Sequence, residues 1–338
     1  MNKNALKAVQ YVGSFLLAIG IIYFLFKNQD PVKLIAEVKK VDSKWVLFSM
    51  LFGSIAILSR GLRWLVLIDA LSYRTSKLNS IAAVSIGYFT NLFIPRAGEI
   101  TRCTSLSQYD KIPVDKLFGT ILIERVIDFI FLFGLIILTF IVKFNELIMF
   151  YNNIIVQNGE QESNLLLLTF IVLGVIFSIL LIKKWLKKSA LYEKILTFIQ
   201  GLKTGFKSIL IMKNKRVFWF HTLNIWVMYF LMTYICFFSM EATSQLTLGD
   251  GLFLLVLGGI GMVIPTPGGI GSYHAIVMIG LSVLGVGSIF LEQGGDTANP
   301  ALIFPTIMHA GQTLVAIIMG SAGLLFLFTS KKQKHVNS

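Results

Sequence analysis

The sequence predicts an all-α integral membrane protein, with about six full transmembrane helices and two re-entrant helical hairpins in an inverted repeat. Three observations carry this. Hydrophobic residues make up 55% of the 338 positions and charged residues only 14%, with a mean hydropathy of +0.76. A soluble domain carries nearer a quarter charged residues. The apolar runs reach the length needed to cross about 30 Å of hydrocarbon. And one short pattern occurs twice: Phe-Ile-Pro-Arg-Ala-Gly-Glu-Ile at 93–100 and Val-Ile-Pro-Thr-Pro-Gly-Gly-Ile at 263–270, with Ile94, Pro95, Gly98 and Ile100 repeated as Ile264, Pro265, Gly268 and Ile270.

Taken in order, residues 5–26 are the first span. Lys3 precedes it and Lys7 lies near its start, but Phe24, Phe26 and Lys27 stand at its end where a signal peptide would place small residues, so an uncleaved span is expected. Residues 28–44 alternate charge around Val32, Leu34, Ile35, Val38 and Val41, the pattern of an amphipathic helix on the membrane surface. The second span, 45–67, carries Arg60 and Arg63 near its end. Residues 79–94 are apolar but short and stop at the first Pro-Gly break. Proline donates no N–H and glycine tolerates unusual backbone angles, so the helix must end there. Glu99, Arg102 and a polar stretch to Lys116 follow, and 117–142 is a span containing Glu124, Arg125 and Asp128.

The second half has the same plan. A span at 165–182 leads to a strongly basic loop, in which Lys183, Lys184, Lys187, Lys188, Lys194, Lys203, Lys207, Lys213, Lys215 and Arg216 face one acid, Glu193. A span at 217–240, a short apolar segment from 251 to the second break, further apolar sequence to Gly287 and a last span at 301–328 complete it. The basic loop belongs inside by the positive-inside rule. The loops 143–164 and 288–300 are acidic and belong outside, and Lys331, Lys332 and Lys334 place the C-terminus inside with the N-terminus. Segments 79–116 and 251–287 then begin and end on one face each, and on opposite faces, which makes them hairpins. Loop 28–44, with Lys33, Lys39, Lys40 and Lys44, runs against the rule. The whole chain reads as a single polytopic domain, 1–338, with halves at about 5–142 and 165–328.

The net charge of +13 is expected on cytoplasmic loops and lipid headgroups rather than on nucleic acid, for which no module is visible. Cys103 and Cys236 lie in or beside apolar sequence, so neither a disulfide framework nor a cysteine metal site is expected. No zinc motif, phosphate loop, dinucleotide fingerprint or nucleophile elbow occurs, so no cofactor, metal site or catalytic residue is predicted.

Charges within a bilayer are costly and face a partner or an aqueous cavity. Here they are Arg60, Arg63, Arg96, Glu99, Arg102, Glu124, Arg125 and Asp128. On a helix Glu99 shares a face with Arg102, and Glu124 with Asp128. Two readings stand. In one, the arginines line a basic pocket for a phosphate headgroup, since guanidinium offers phosphate planar, bidentate donors. In the other, carboxylates and arginines neutralise each other and lock helices together. The second break has no charge; its bare N–H groups suit an anion or a close glycine contact. His274 and His309, far apart in sequence, read as isolated interior histidines.

Arg63-Trp64, Asn91 with Pro95-Arg96-Ala97-Gly98-Glu99 and Arg102, Glu124-Arg125 with Asp128, and Pro265-Thr266-Pro267-Gly268-Gly269-Ile270-Gly271 resemble the flippase-like transmembrane domain of lysylphosphatidylglycerol synthases. The resemblance implies a multi-pass protein of the inner (cytoplasmic) membrane that moves a lipid between leaflets; with the arginines read as a headgroup pocket, that lipid would be an anionic phospholipid or a lipid-linked phosphate. Arg63, Asn91, Arg96, Glu99, Arg102, Glu124, Arg125 and Asp128 would form the substrate site. Pro95, Gly98, Pro265, Pro267, Gly268, Gly269 and Gly271 would form the hairpin tips that gate it. The chain ends at Ser338, ten residues past its last span. The soluble aminoacyl-transfer domain of the full synthases has no counterpart there, so lysyl transfer is not expected. The family often has an acidic residue near the position of His274. An intramembrane enzyme acting on a lipid phosphate, with Glu99, Glu124 and Asp128 holding a divalent ion, and a membrane partner whose loop 183–216 docks a cytoplasmic protein are the alternative functions.

Overall fold

The structure is a computed structural model that describes residues 3–149, 212–289 and 298–336. The expected span 165–182, most of the basic loop 183–216 and most of the two acidic loops lie outside these residues. The described residues are helical throughout, without strands. The chain divides into two compact units, Met1–Val142 with Met212–Ser338, and Lys143–Ile211. In the second unit, a short helical stretch carries an ion pair between Lys143 and Glu146 at 2.8 Å. All that follows concerns the first unit.

Helix α1 (Lys3–Phe26) and α2 (Pro31–Lys39) meet at an 88° bend. Asp30 starts α2 by accepting the Val32 N–H at 2.8 Å, and proline at the first helical position needs no donor partner. No residue of α2 is buried, as a helix built to lie on a surface requires. α3 (Ser43–Ala70) is capped by Asp42, α4 (Lys77–Phe93) by Ser76, and α6 (Val114–Val142) begins just after Pro113. Between the last two lies α5 (Gly98–Asp110), which ends at Lys111 in the left-handed region, φ 59°. In the second half α7 (Lys215–Cys236) precedes α8 (Leu248–Val263), which opens on a reciprocal capping box of Thr247 and Asp250. α9 (Ser272–Val283) and α10 (Pro300–Val336) follow.

Among the described residues four helical segments are long and apolar enough to cross a membrane: Ser43–Ala70, Val114–Val142, Lys215–Ser239 and Pro300–Thr329; the α1–α2 pair makes a fifth if it counts as one span. They coincide with four of the expected spans. The outer face of α6 is the most lipid-like surface, with Phe129, Phe133, Ile137 and Ile141 exposed. Such a face is stable only against hydrocarbon or another protein.

The expected short segments are short helices paired across the breaks. α4 and α5 run antiparallel. At one end Asn79 donates to Asp110 at 3.1 and 3.2 Å, and nearer the break Gly87 and Gly98 touch backbone to backbone. A side chain at either glycine would collide with the other helix. α8 and α9 repeat this arrangement, with Gly261 against the backbone of Tyr273 and Gly280 against Leu254 and Leu257. At 17, 13, 16 and 12 residues, each helix falls short of the roughly 20 residues a full crossing needs.

α3 and α7 lie antiparallel along each other. The partners descend in step: Asp42 N–H to the Ser239 carbonyl (2.9 Å), Ser49 hydroxyl to the Met232 carbonyl (2.8 Å), Asn224 amide to the Ser59 hydroxyl (2.6 Å). The last helix packs on α4, with Gly320 and Gly323 of α10 admitting Phe89 and Ala82. An apolar core of Ile57, Trp64, Ile68, Val84, Leu106, Leu117 and Ile121 fills the space between α3, α4, α5 and α6.

Candidate functional site

Above that core the intramembrane charges converge. Arg60 and Arg63 are three apart on α3 and share a face; Glu124 and Asp128 are four apart on α6 and share another. The two faces meet. Arg63 donates through Nη1 to Asp128 Oδ1 at 2.8 Å, through Nη2 to Oδ2 at 3.2 Å, and through Nε to Glu124 Oε1 at 3.3 Å. Arg60 adds a bond from Nη1 to Asp128 Oδ2 at 2.9 Å. From α5, Arg102 reaches Glu124 Oε2 at 2.6 Å, with its guanidinium 4.9 Å from the centroid of the Trp64 ring. Trp64 is held in turn by the Thr120 hydroxyl at 2.8 Å. The Arg63 and Glu124 side chains have no exposed surface at all.

Glu124 thus ties α3, α5 and α6 together. α7 closes the far side with Thr222, 3.5 Å from Arg63, and with the Phe218 and Tyr229 rings facing Arg63 and Arg60 at 5.7 and 6.0 Å. At the rim, Arg125 pairs with Glu99 at 2.8 Å, the side chains 48% and 33% exposed. This outer pair is the part of the network within reach of a ligand. Among the described residues four arginines (60, 63, 102, 125) meet three carboxylates (99, 124, 128), so one positive charge is in excess. The Nε–H groups of Arg60 and Arg102 are buried without a partner.

Two predicted site residues have local work. Asn91 accepts the Gly98 N–H at 2.7 Å and closes the first break. Arg96 stands apart from the network, in the left-handed region with φ 61°, and donates from Nη2 to the Val263 carbonyl at 2.8 Å. Val263 is the last residue of α8, where carbonyls lack helical partners. The two breaks therefore meet, with Leu92 resting against Gly268 (φ 58°) beside this bond. Pro95 and Pro265 stand just past the ends of α4 and α8, and Pro267 opens the turn Pro267–Gly269. Gly269 and Gly271 take φ of 82° and 84°, and Gly271 passes against Ala18 and Ile21 of α1.

Sequence reasoning missed two things here. Tyr88 and Tyr229 bring their hydroxyls within 2.8 Å of each other next to Arg60. And His274 and His309, read as isolated, stand together with ring centroids 4.9 Å apart. No periodicity links positions on two helices separated by an intervening loop. Among the described residues no group of three or more histidine, cysteine or acidic side chains is placed to hold a metal ion.

Paired helix breaks meeting beside a buried, net-positive arginine–carboxylate network define a polytopic membrane protein built around an interior polar site. The chain belongs to the lysylphosphatidylglycerol synthase transmembrane-region family, whose sequence pattern matches residues 11–289. It is similar to a UPF0104 membrane protein of Methanothermobacter thermautotrophicus, 22% identical over 304 residues, 82% of this chain and 87% of the relative. It is also similar to a UPF0104 membrane protein of Methanocaldococcus jannaschii, 23% identical over 298 residues, 81% of this chain and 83% of the relative. No solved structure matches the chain.

Proposed function

We propose that this protein is a flippase-like transporter that moves an anionic phospholipid or a lipid-linked phosphate between the leaflets of the cytoplasmic membrane. The observation that carries the reading is the single positive charge in excess in the network, with two unpaired Nε–H donors, beside breaks that touch. A phosphodiester headgroup brings one negative charge and oxygen acceptors, the complement of that excess. Arg125, half-exposed, is the first cation a headgroup meets, and it can leave Glu99 for a phosphate without disturbing the buried pairs. Glu124 and Asp128 then act as positioning residues, holding the planes of Arg63 and Arg102 in place. Arg96 exchanges its carbonyl partner for phosphate at the tips.

In the same reading, α4–α5 and α8–α9 are re-entrant hairpins entering from opposite faces, both termini are cytoplasmic, and the basic loop 183–216 faces the cytoplasm, where it can dock a partner. Broken backbone at membrane depth is tolerated where protein or water surrounds it, and the glycine contacts within each pair supply that cover.

The test is leaflet exchange of fluorescent phosphatidylglycerol and phosphatidylcholine in proteoliposomes, comparing wild type with Arg125→Gln and Arg96→Gly. Both side chains lie outside the buried core, so the variants are expected to insert and fold. Exchange that favours the anionic lipid and falls at least about tenfold in each variant, the loss of about 1.4 kcal/mol of transition-state binding, supports the reading. Folded protein that exchanges neither lipid, or variants that transport like wild type, overturns it.

A further inference from the structure

The transport reading gives no task to two titratable, buried side chains that meet at the second break. His274, in the first turn of α9, and His309, on α10, are 6% and 5% exposed. Their rings lie 4.9 Å apart, with the Tyr273 ring 5.2 Å from His309. His309 Nε2 is 2.9 Å from the Gly268 carbonyl, inside the break itself. A carbonyl only accepts, so Nε2 carries the hydrogen, and the neutral ring keeps its lone pair on Nδ1. His274 Nδ1 is buried with no hydrogen-bond partner.

An open, largely apolar groove of about 640 Å³ beside the rings is lined by Ile22 and Phe26 of α1, Ile270, and Thr306, Leu314 and Ile317 of α10. Tyr273 donates its hydroxyl to Met308 Sδ at 3.1 Å, with the Cys236 thiol of α7 and the Gln312 amide also close to it. Among the described residues no carboxylate or cationic side chain lines the groove. Two ring nitrogens are too few for a metal site. A proton needs only one lone pair, and two imidazolium rings this close, without a counter-ion, exclude a second.

We propose that His274 and His309 form a proton-binding site that couples proton movement to the second Pro-Gly break. A proton leaves hydronium for an imidazole lone pair and later departs to water on the other side, returning the ring to its neutral form. No other bond forms or breaks. While His309 is charged, its bond to the Gly268 carbonyl is charge-assisted and stronger, so the proton tightens the break. Gly268 rests on Leu92 of the first break, which carries the change toward the arginine network. The inference rests on the transport reading. One proton moving with a singly charged lipid anion transfers no net charge.

Two measurements test it. In proteoliposomes clamped at zero potential, about one pH unit across the bilayer should drive phosphatidylglycerol to a leaflet ratio of about tenfold in wild type, one proton per lipid. In His309→Gln and His274→Gln the ratio should stay near unity whatever their exchange rate; glutamine can still donate to the carbonyl but does not titrate. In detergent, wild type should take up about one proton more than the double variant between about pH 8 and pH 4. A wild type that exchanges lipid yet ignores the gradient, a His309→Gln that accumulates lipid like wild type, or equal proton uptake overturns the proposal. If no lipid moves under any condition, the transport reading falls, and proton uptake alone then decides whether the pair binds a proton.

Discussion

Glu124 and Arg102 are bonded to each other at 2.6 Å, yet neutralising them should have unequal effects. Glu124 accepts from Arg63 and Arg102, which come from different helices. Glu124→Gln keeps the shape but leaves Arg60, Arg63 and Arg102 facing Asp128 alone among buried carboxylates, so the excess buried charge rises from one to two. Removing one partner of a buried pair costs about 3–5 kcal/mol, and the added repulsion places this variant at the upper end. Arg102→Gln loses one charged hydrogen bond, about 1.5–3 kcal/mol, and a contact with Trp64 worth about 0.5–2 kcal/mol. It also removes the excess charge, so its net cost should be about 1.5–3 kcal/mol. The double variant restores an excess of one and should cost less than the sum of the two, by at least about 1 kcal/mol. SDS titration of the purified protein in mixed micelles, followed by far-UV circular dichroism, measures all four species. If Arg102→Gln is as damaging as Glu124→Gln, or the two are additive, then excess positive charge does not govern this core.

Gly98→Ala should lower the yield of folded protein and cost more than about 3 kcal/mol, because the added methyl meets the Gly87 carbonyl and the Asn91 amide, neither free to move; Gly119→Ala, with nothing within 4 Å, should behave as wild type in the same titration. At position 96, where φ is 61°, alanine should be less stable than glycine by about 1 kcal/mol, since both lack the bond to Val263 and only glycine is unstrained there; equal midpoints for the two would remove the left-handed backbone from the account.

The helices and their ends were legible because local rules decide them. Pro95 and Pro265 each follow a short apolar run and stop it, and long apolar runs leave few alternatives to a spanning helix. The internal spacing of the charged pairs was legible for the same reason: Glu124 and Asp128 had to share a face, and Glu99 and Arg102 had to look the same way, as their common partner helix α6 bears out. What each charge pairs with was not legible. Arg60 and Arg125 differ little in sequence setting, yet one is sealed against Asp128 and the other sits at the rim. Arg60 lies against the Tyr229 ring of α7, whereas Arg125 pairs with the part-exposed Glu99. Arg96 shows the same gap: three residues from Glu99 and next to a break, it was grouped with the pocket, but the left-handed turn at position 96 sends its side chain to the opposite hairpin.

The contact between the breaks has a thermodynamic consequence. Leu92 on Gly268 and Arg96 on the Val263 carbonyl are single interactions owned by both halves, so neither hairpin tip can part without changing the surroundings of the other. Two ligands, one at the arginines and one at the histidines, that each bind better when the tips are apart would raise each other's affinity by the same free energy. Reciprocity of this kind needs no moving lever between the sites; it follows from a seam too small to be divided.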